Sequence, residues 1–168
     1  VHETFLDCAV GTGVLLVEEG DAIQPVKFKA IPLPQVVLDS GFDDKVDHIY
    51  RKRMIRMKEL LIAYPNGILS EKMKMDMEKM GESECEIVEV VYRDYSNTKE
   101  EQHKFCVIAP MYEHEITQQT FKGLGSNPYI IYRWSKVAGE VYGRGPLQLA
   151  LPAIKTSNLV IELILENA

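Results

Sequence analysis

Apolar positions along the chain change their spacing several times, and each change marks an element. Phe5, Leu6, Ala9 and Val10 fall on one helical face over residues 3–10, and Gly11-Thr12-Gly13 ends that helix. Val14-Leu15-Leu16-Val17 is a short continuous apolar run, the pattern of a buried strand, closed by the turn signal Glu18-Glu19-Gly20-Asp21. Val26, Phe28 and Ala30 alternate with Lys27 and Lys29, which predicts a strand with one wet face, ended by Pro32 and Pro34. Residues 36–38 predict a further short strand before the turn residues Asp39-Ser40-Gly41-Phe42-Asp43-Asp44.

Residues 48–56 alternate again, with Ile49, Met54 and Ile55 among cations, and read as a strand. A helix follows over 58–64, up to the breaker Pro65-Asn66-Gly67. Ser70 caps a second helix to about Met80, with Glu71 near its positive end and Gly81 at its stop. Met73, Met77 and Met80 form a stripe on it, with Met75 off the line, and such a stripe reads as core packing. Residues 85–95, 105–109 (with a possible extension from Met111 to Ile116) and 129–134 are rich in β-branched and aromatic residues. Ser96-Asn97-Thr98-Lys99-Glu100-Glu101-Gln102 joins the first two of them as a hairpin, and an antiparallel meander is the simplest arrangement of all three. Pro146 suits the first turn of a long apolar helix over 147–165, which Pro152 kinks or restarts near Leu151. The whole reads as an α+β fold, mainly antiparallel strands with short helices and a long C-terminal helix. Leu159, Val160, Ile161, Leu163, Ile164 and Leu165 cover nearly every face of that helix, so it is expected to be covered by other chains or by further parts of its own.

With 168 residues, 46% of them apolar and 26% charged, the composition is that of an ordinary globular chain, one domain by default. The net charge of -6 works against tight nucleic-acid binding, because each phosphate contact needs a cation that releases counterions. The local cluster Arg51, Lys52, Arg53 and Arg56 reads as a solvated face. Cys8, Cys85 and Cys106 are odd in number and widely spaced, as expected of reduced thiols. No Asn-x-Ser/Thr sequon occurs, no signal peptide opens the chain, and no stretch approaches the ~18 to 20 apolar residues of a membrane span. The sequence reads as soluble, intracellular and without a membrane partner. Val1 and the unpunctuated end Glu166-Asn167-Ala168 look like cuts in a longer protein.

Candidate chemistry is sparse. Gly11-Thr12-Gly13 resembles the start of a dinucleotide fingerprint and supplies the alternative reading, a nucleotide- or small-molecule-binding enzyme domain. The fingerprint needs a strand before it and a helix after it, and the order here is reversed. A turn using the freedom of glycine at positive φ is the plainer explanation. Gly123-Leu124-Gly125 fails similarly, since Pro128 and a strand follow. His103, Cys106 and His114 lack the paired spacings of a zinc site, and Asp43, Asp44 and Asp47 lack those of a calcium loop. Glu113 and Glu115 would share a strand face as solvated carboxylates. No nucleophile signature occurs, so no catalytic residue, metal or cofactor is expected.

One constellation is more specific. Pro128-Tyr129-Ile130-Ile131-Tyr132-Arg133-Trp134, then Gly139-Glu140-Val141-Tyr142-Gly143-Arg144-Gly145-Pro146, then Leu151-Pro152-Ala153-Ile154-Lys155-Thr156 resembles the portal (head-to-tail connector) proteins of short-tailed bacteriophages and prophages. Val46-Asp47-His48-Ile49-Tyr50-Arg51 and the Gly11-Thr12-Gly13 turn also fit, while Ser157 stands where a larger apolar residue is expected. The resemblance covers nearly the whole chain and is most specific in its last 40 or so residues. It implies a non-enzymatic internal piece of a portal, with residues 1–145 a wing-like α+β domain and 146–168 the start of a stem helix. It further implies a dodecameric ring at the capsid vertex of the virion, assembled in the host cytoplasm with terminase motor, capsid and tail or adaptor proteins. Double-stranded DNA would pass through the ring without sequence-specific binding. Tyr142, Gly143, Arg144, Gly145 and Pro146 are the implied joint between wing and stem, with Arg144 expected to clamp a carboxylate or backbone carbonyls.

Overall fold

A computed structural model of the chain describes residues 2–96 and 100–166. Val1 and Asn167-Ala168, on which the reading of both ends as cuts turns, lie outside the described residues, as do Asn97, Thr98 and Lys99 of the predicted hairpin connection. The elements run α1 (His2–Val10), β1 (Thr12–Glu19), β2 (Val26–Ile31), β3 (Val36–Ser40), β4 (Val46–Arg56), α2 (Leu60–Ala63), α3 (Glu71–Met80), β5 (Glu84–Arg93), β6 (Gln102–Ala109), β7 (His114–Lys122), β8 (Tyr129–Arg133) and α4 (Pro146–Glu166). This is the expected α+β arrangement, with every strand pair antiparallel. The chain divides into two compact units, one formed by Val1–Leu33 with Tyr129–Ala168 and the other by Pro34–Pro128.

The second unit is a five-stranded sheet in the order β3-β4-β5-β6-β7. Ile55, Cys85, Ile87, Val107, Ala109 and Ile116 of this sheet pack with Met57, Leu60, Leu69 and Met73 as one apolar core. Ser70 caps α3 as expected, its hydroxyl accepting from the Met73 amide. The methionine stripe is only partly core: Met73 is fully buried and Met77 packs against the cluster, but Met80 is exposed like Met75. The helix read over 58–64 is a 3₁₀ turn (Met57–Glu59) running into the single turn of α2.

Two expectations about the strands fail here. Residues 111–116 do not extend β6; a 3₁₀ turn, Pro110–Tyr112, reverses the chain, and β7 returns along β6 as an edge strand. Thr117, Gln118, Gln119 and Thr120 hide β7 from a hydrophobic reading, because an edge strand held by its ladder needs few apolar residues. Nor does β8 complete the meander. It leaves this sheet and pairs with β1.

The first unit is the three-stranded sheet β2-β1-β8 with α1 and α4. Val14, Leu15, Leu16, Ile31 and Tyr129 are buried in it, beside Thr4 and Cys8 of α1. The strand β2 is wet on both faces rather than one, since Val26 and Phe28 are about as exposed as their lysine neighbours. The helix α4 does not restart at Pro152 but runs through it for 21 residues, none of them buried. By length and composition, with a mean hydropathy of 1.3, α4 is apolar enough to cross a membrane, which corrects the expectation that no stretch approaches this. Lys155, Thr156, Ser157, Asn158 and Glu162 interrupt the apolar run without lowering its average far enough.

Candidate functional site

The structure brings together two glycine motifs that stand 131 positions apart. Gly11-Thr12-Gly13 links α1 to β1, and Gly143-Arg144-Gly145 leads into α4. The Gly143 amide donates to the Thr12 hydroxyl at 2.8 Å, and the Gly145 amide donates to the Val10 carbonyl at 3.1 Å. The Gly11 carbonyl in turn accepts from the Trp134 amide at the end of β8. All four glycines are buried, and at Gly11, Gly143 and Gly145 the backbones lie too close for side chains. A Cβ on Gly143 would run into the Gly11 carbonyl, and one on Gly145 into the carbonyl of Ala9. Gly11 also has φ of 152°, a conformation that L side chains rarely adopt. Gly13 lies opposite Tyr132 in the ladder, and the tyrosine ring fills the place of its missing side chain.

This geometry disposes of the nucleotide reading of Gly11-Thr12-Gly13. The space that Gly11 keeps clear is occupied by the chain's own Gly143 and Gly145, and that of Gly13 by the Tyr132 ring, so none is left open for a pyrophosphate. The last carbonyl of α1 accepts from the residue just before α4, so the negative end of one helix meets the positive end of the other. Pro146 takes the first helical position, where its missing N–H removes no bond.

The connection from β8 to α4 is tied down at several further points. The Arg133 guanidinium donates to the Val141 carbonyl at 3.1 Å, and the Arg144 amide donates to the Ser135 carbonyl at 2.9 Å. The Arg144 side chain makes a two-pronged contact with Glu140, Nε to Oε2 at 3.0 Å and Nη2 to Oε1 at 2.5 Å. Both side chains are substantially exposed. The pairing lowers the Glu140 carboxyl and raises the Arg144 guanidinium from their ordinary values, chiefly through those hydrogen bonds. Tyr142 is partly exposed.

Elsewhere, the cationic stretch is neutralised strand by strand. Arg51 and Arg53 turn inward onto Glu89 instead of forming part of a solvated face. Lys52 pairs with Glu86, and Arg56 with Glu59. Unbalanced positive charge for phosphates is therefore not concentrated there. His103 and Cys106 fall on opposite faces of β6, His103 contacting the Ser126 hydroxyl at 2.8 Å, while a ring nitrogen of His114 donates to the Ile68 carbonyl. Glu113 adopts a left-handed conformation outside β7, so it does not share a strand face with Glu115. Asp43 accepts from Arg93, and Asp47 from Tyr95 and His48. Among the described residues no group of three His, Cys, Asp or Glu side chains is placed to hold a metal.

The sequence pattern marks residues 142–146, and it places Thr12 in a glycine turn and Arg133 in the strand of the same constellation, but it assigns neither of these two a partner. Thr12 had a faint signal, a small polar residue between two glycines. Its partner was invisible. The model of one protein family, described as bacteriophage head to tail connecting protein, matches residues 1–168. No curated protein matches the chain.

Proposed function

Because the chain belongs to the bacteriophage head to tail connecting proteins, we propose that it is a subunit of a portal ring of a short-tailed phage or prophage, through which double-stranded DNA is packaged and later ejected. A connector of this family is a structural protein of the virion at the capsid vertex, in contact with capsid and tail components. In the finer reading the ring is dodecameric, the terminase motor docks on it, and it assembles in the host cytoplasm. Residues 1–145 serve as a wing-like domain and 146–168 as the start of a stem helix, joined at Tyr142-Gly143-Arg144-Gly145-Pro146.

The observation that carries this reading is α4. Twenty-one mostly apolar residues with none buried cannot stay in water without cost, and a ring gives each subunit two neighbours to cover such a helix. The net charge of -6 suits a channel wall past which a polyanion must slide. The reading is tested by purifying the full-length protein and measuring its mass by light scattering, with electron microscopy of the same sample. Rings on the order of 800 kDa are expected from about twelve typical full-length subunits. A protein that stays monomeric under every assembly condition overturns it.

A further inference from the structure

We infer that Thr12, rather than the exposed Arg144, is the positioning residue that fixes where α4 leaves the first unit, by latching the Gly143-Arg144-Gly145 turn onto the end of α1. The inference deepens the connector reading and depends on it only for the consequence in assembly. Thr12 is 1% exposed, and its hydroxyl is the side-chain acceptor for a buried amide from the far end of the chain. It stands directly opposite Arg133 in the β1–β8 ladder. This facing pair grips one short segment from two sides, with Thr12 taking the amide of residue 143 and Arg133 giving to the carbonyl of residue 141. The backbone bond from Gly145 to Val10 then sets the first turn of α4 against the last turn of α1.

Arg144 is differently placed. Its partner Glu140 belongs to the same loop, four residues away, so the pair stiffens the loop without tying it to the sheet. The pair is exposed and screened by solvent. The Gly143 amide is buried, and removal of its acceptor leaves a polar group without compensation. Among substitutions, Thr12→Val keeps the shape and removes the acceptor, whereas Thr12→Ser keeps the oxygen.

Amide hydrogen exchange of the full-length protein, resolved by NMR or by fragmentation mass spectrometry, reads the latch directly. In Thr12→Val the Gly143 amide should exchange roughly ten- to a hundredfold faster, the equivalent of losing one buried hydrogen bond. Thr12→Ser should restore protection to within about threefold, and Arg144→Ala should leave that amide as in the parent. Equal protection of Gly143 in Thr12→Val and the parent overturns the inference. So does loss spread along β1 and β8, which would make Thr12 an ordinary core residue. The fraction of protein in rings should fall in Thr12→Val and recover in Thr12→Ser. If the parent itself forms no rings, the connector reading fails, while the exchange data still decide the latch.

Discussion

Arg51 and Glu89 are direct partners across β4 and β5, and the guanidinium meets the carboxylate at 3.2 Å where both side chains are almost wholly buried. Arg53 reaches the other carboxylate oxygen at 2.7 Å, and the Tyr64 hydroxyl donates to the same oxygen at 2.6 Å. A one-residue slip of β4 against β5 would turn these cations to the opposite face and leave Glu89 buried alone. The network therefore specifies register, whatever its net contribution to stability.

Acid should expose this dependence. Burial pushes the Glu89 carboxyl up, but hydrogen bonds from Tyr64 and Arg53 and the charge of Arg51 outweigh it, and the group ends below its ordinary value of 4.5. The unfolded chain then takes up the proton first, so the stabilisation is present above that value and lost as pH falls through the folded one. Asp94, brought to about 2 by hydrogen bonds from Lys104 and Ser96, titrates in the same acid range. Urea unfolding as a function of pH should show stability falling below about pH 4.5, with a shallower fall in Glu89→Gln. At neutral pH that variant should be about 3–5 kcal/mol less stable, because the buried Arg51 and the partly buried Arg53 lose their counter-charge. An unchanged acid limb in Glu89→Gln would count against the network as its source.

Gly143→Ala should harm the first unit more than its single methyl suggests. The added Cβ meets the Gly11 carbonyl and the Arg133 side chain, and neither is a flexible tip that can swing away. Overpacking of this kind costs about 1–3 kcal/mol. Thermal unfolding of the variant should show the loss, and a melting temperature equal to that of the parent would mean the two turns are not in contact.

Arg144→Ala, by contrast, should cost less than about 1 kcal/mol, because its ion pair with Glu140 is exposed. A larger loss in denaturant titration would show the guanidinium bonded to something beyond its own loop.

Charge placed on α4 separates folding from assembly. Ile161→Lys alters one exposed position with no acidic side chain three or four residues away on α4, so the melting temperature of the isolated chain should barely move. The full-length protein should lose rings in the light-scattering assay, since a charge buried at an interface is costly unless paired. Intact rings would show that this face is not covered by a neighbour.

Met73→Ala tests the core of the second unit. Met73 is fully buried among Leu60, Leu69 and Ile87, and its truncation should cost about 2–5 kcal/mol in urea unfolding. A loss below 1 kcal/mol would mean the pocket collapses around the cavity.

Local chemistry was enough to read most elements from the amino-acid sequence. The Ser70 cap, the alternation in β4, the β-rich runs of β5, β6 and β8, and Pro146 at the start of α4 are all set by neighbours within a few residues. So was the break before α4, because a glycine on either side of Arg144 interrupts any regular element. Partnership was a different matter. Nothing within β8 says that it joins β1 instead of β7, and nothing in the polar run of β7 says that it is a strand at all. The cations at 51 and 53 look solvated until β5 places Glu89 opposite them. Thr12 looks like a turn residue until the Gly143 amide arrives from 131 positions away. Short-range spacing determines which segments can become helices and strands. Which backbones approach closely enough to need glycine, and which polar groups must satisfy one another, is decided only when distant segments exclude water together.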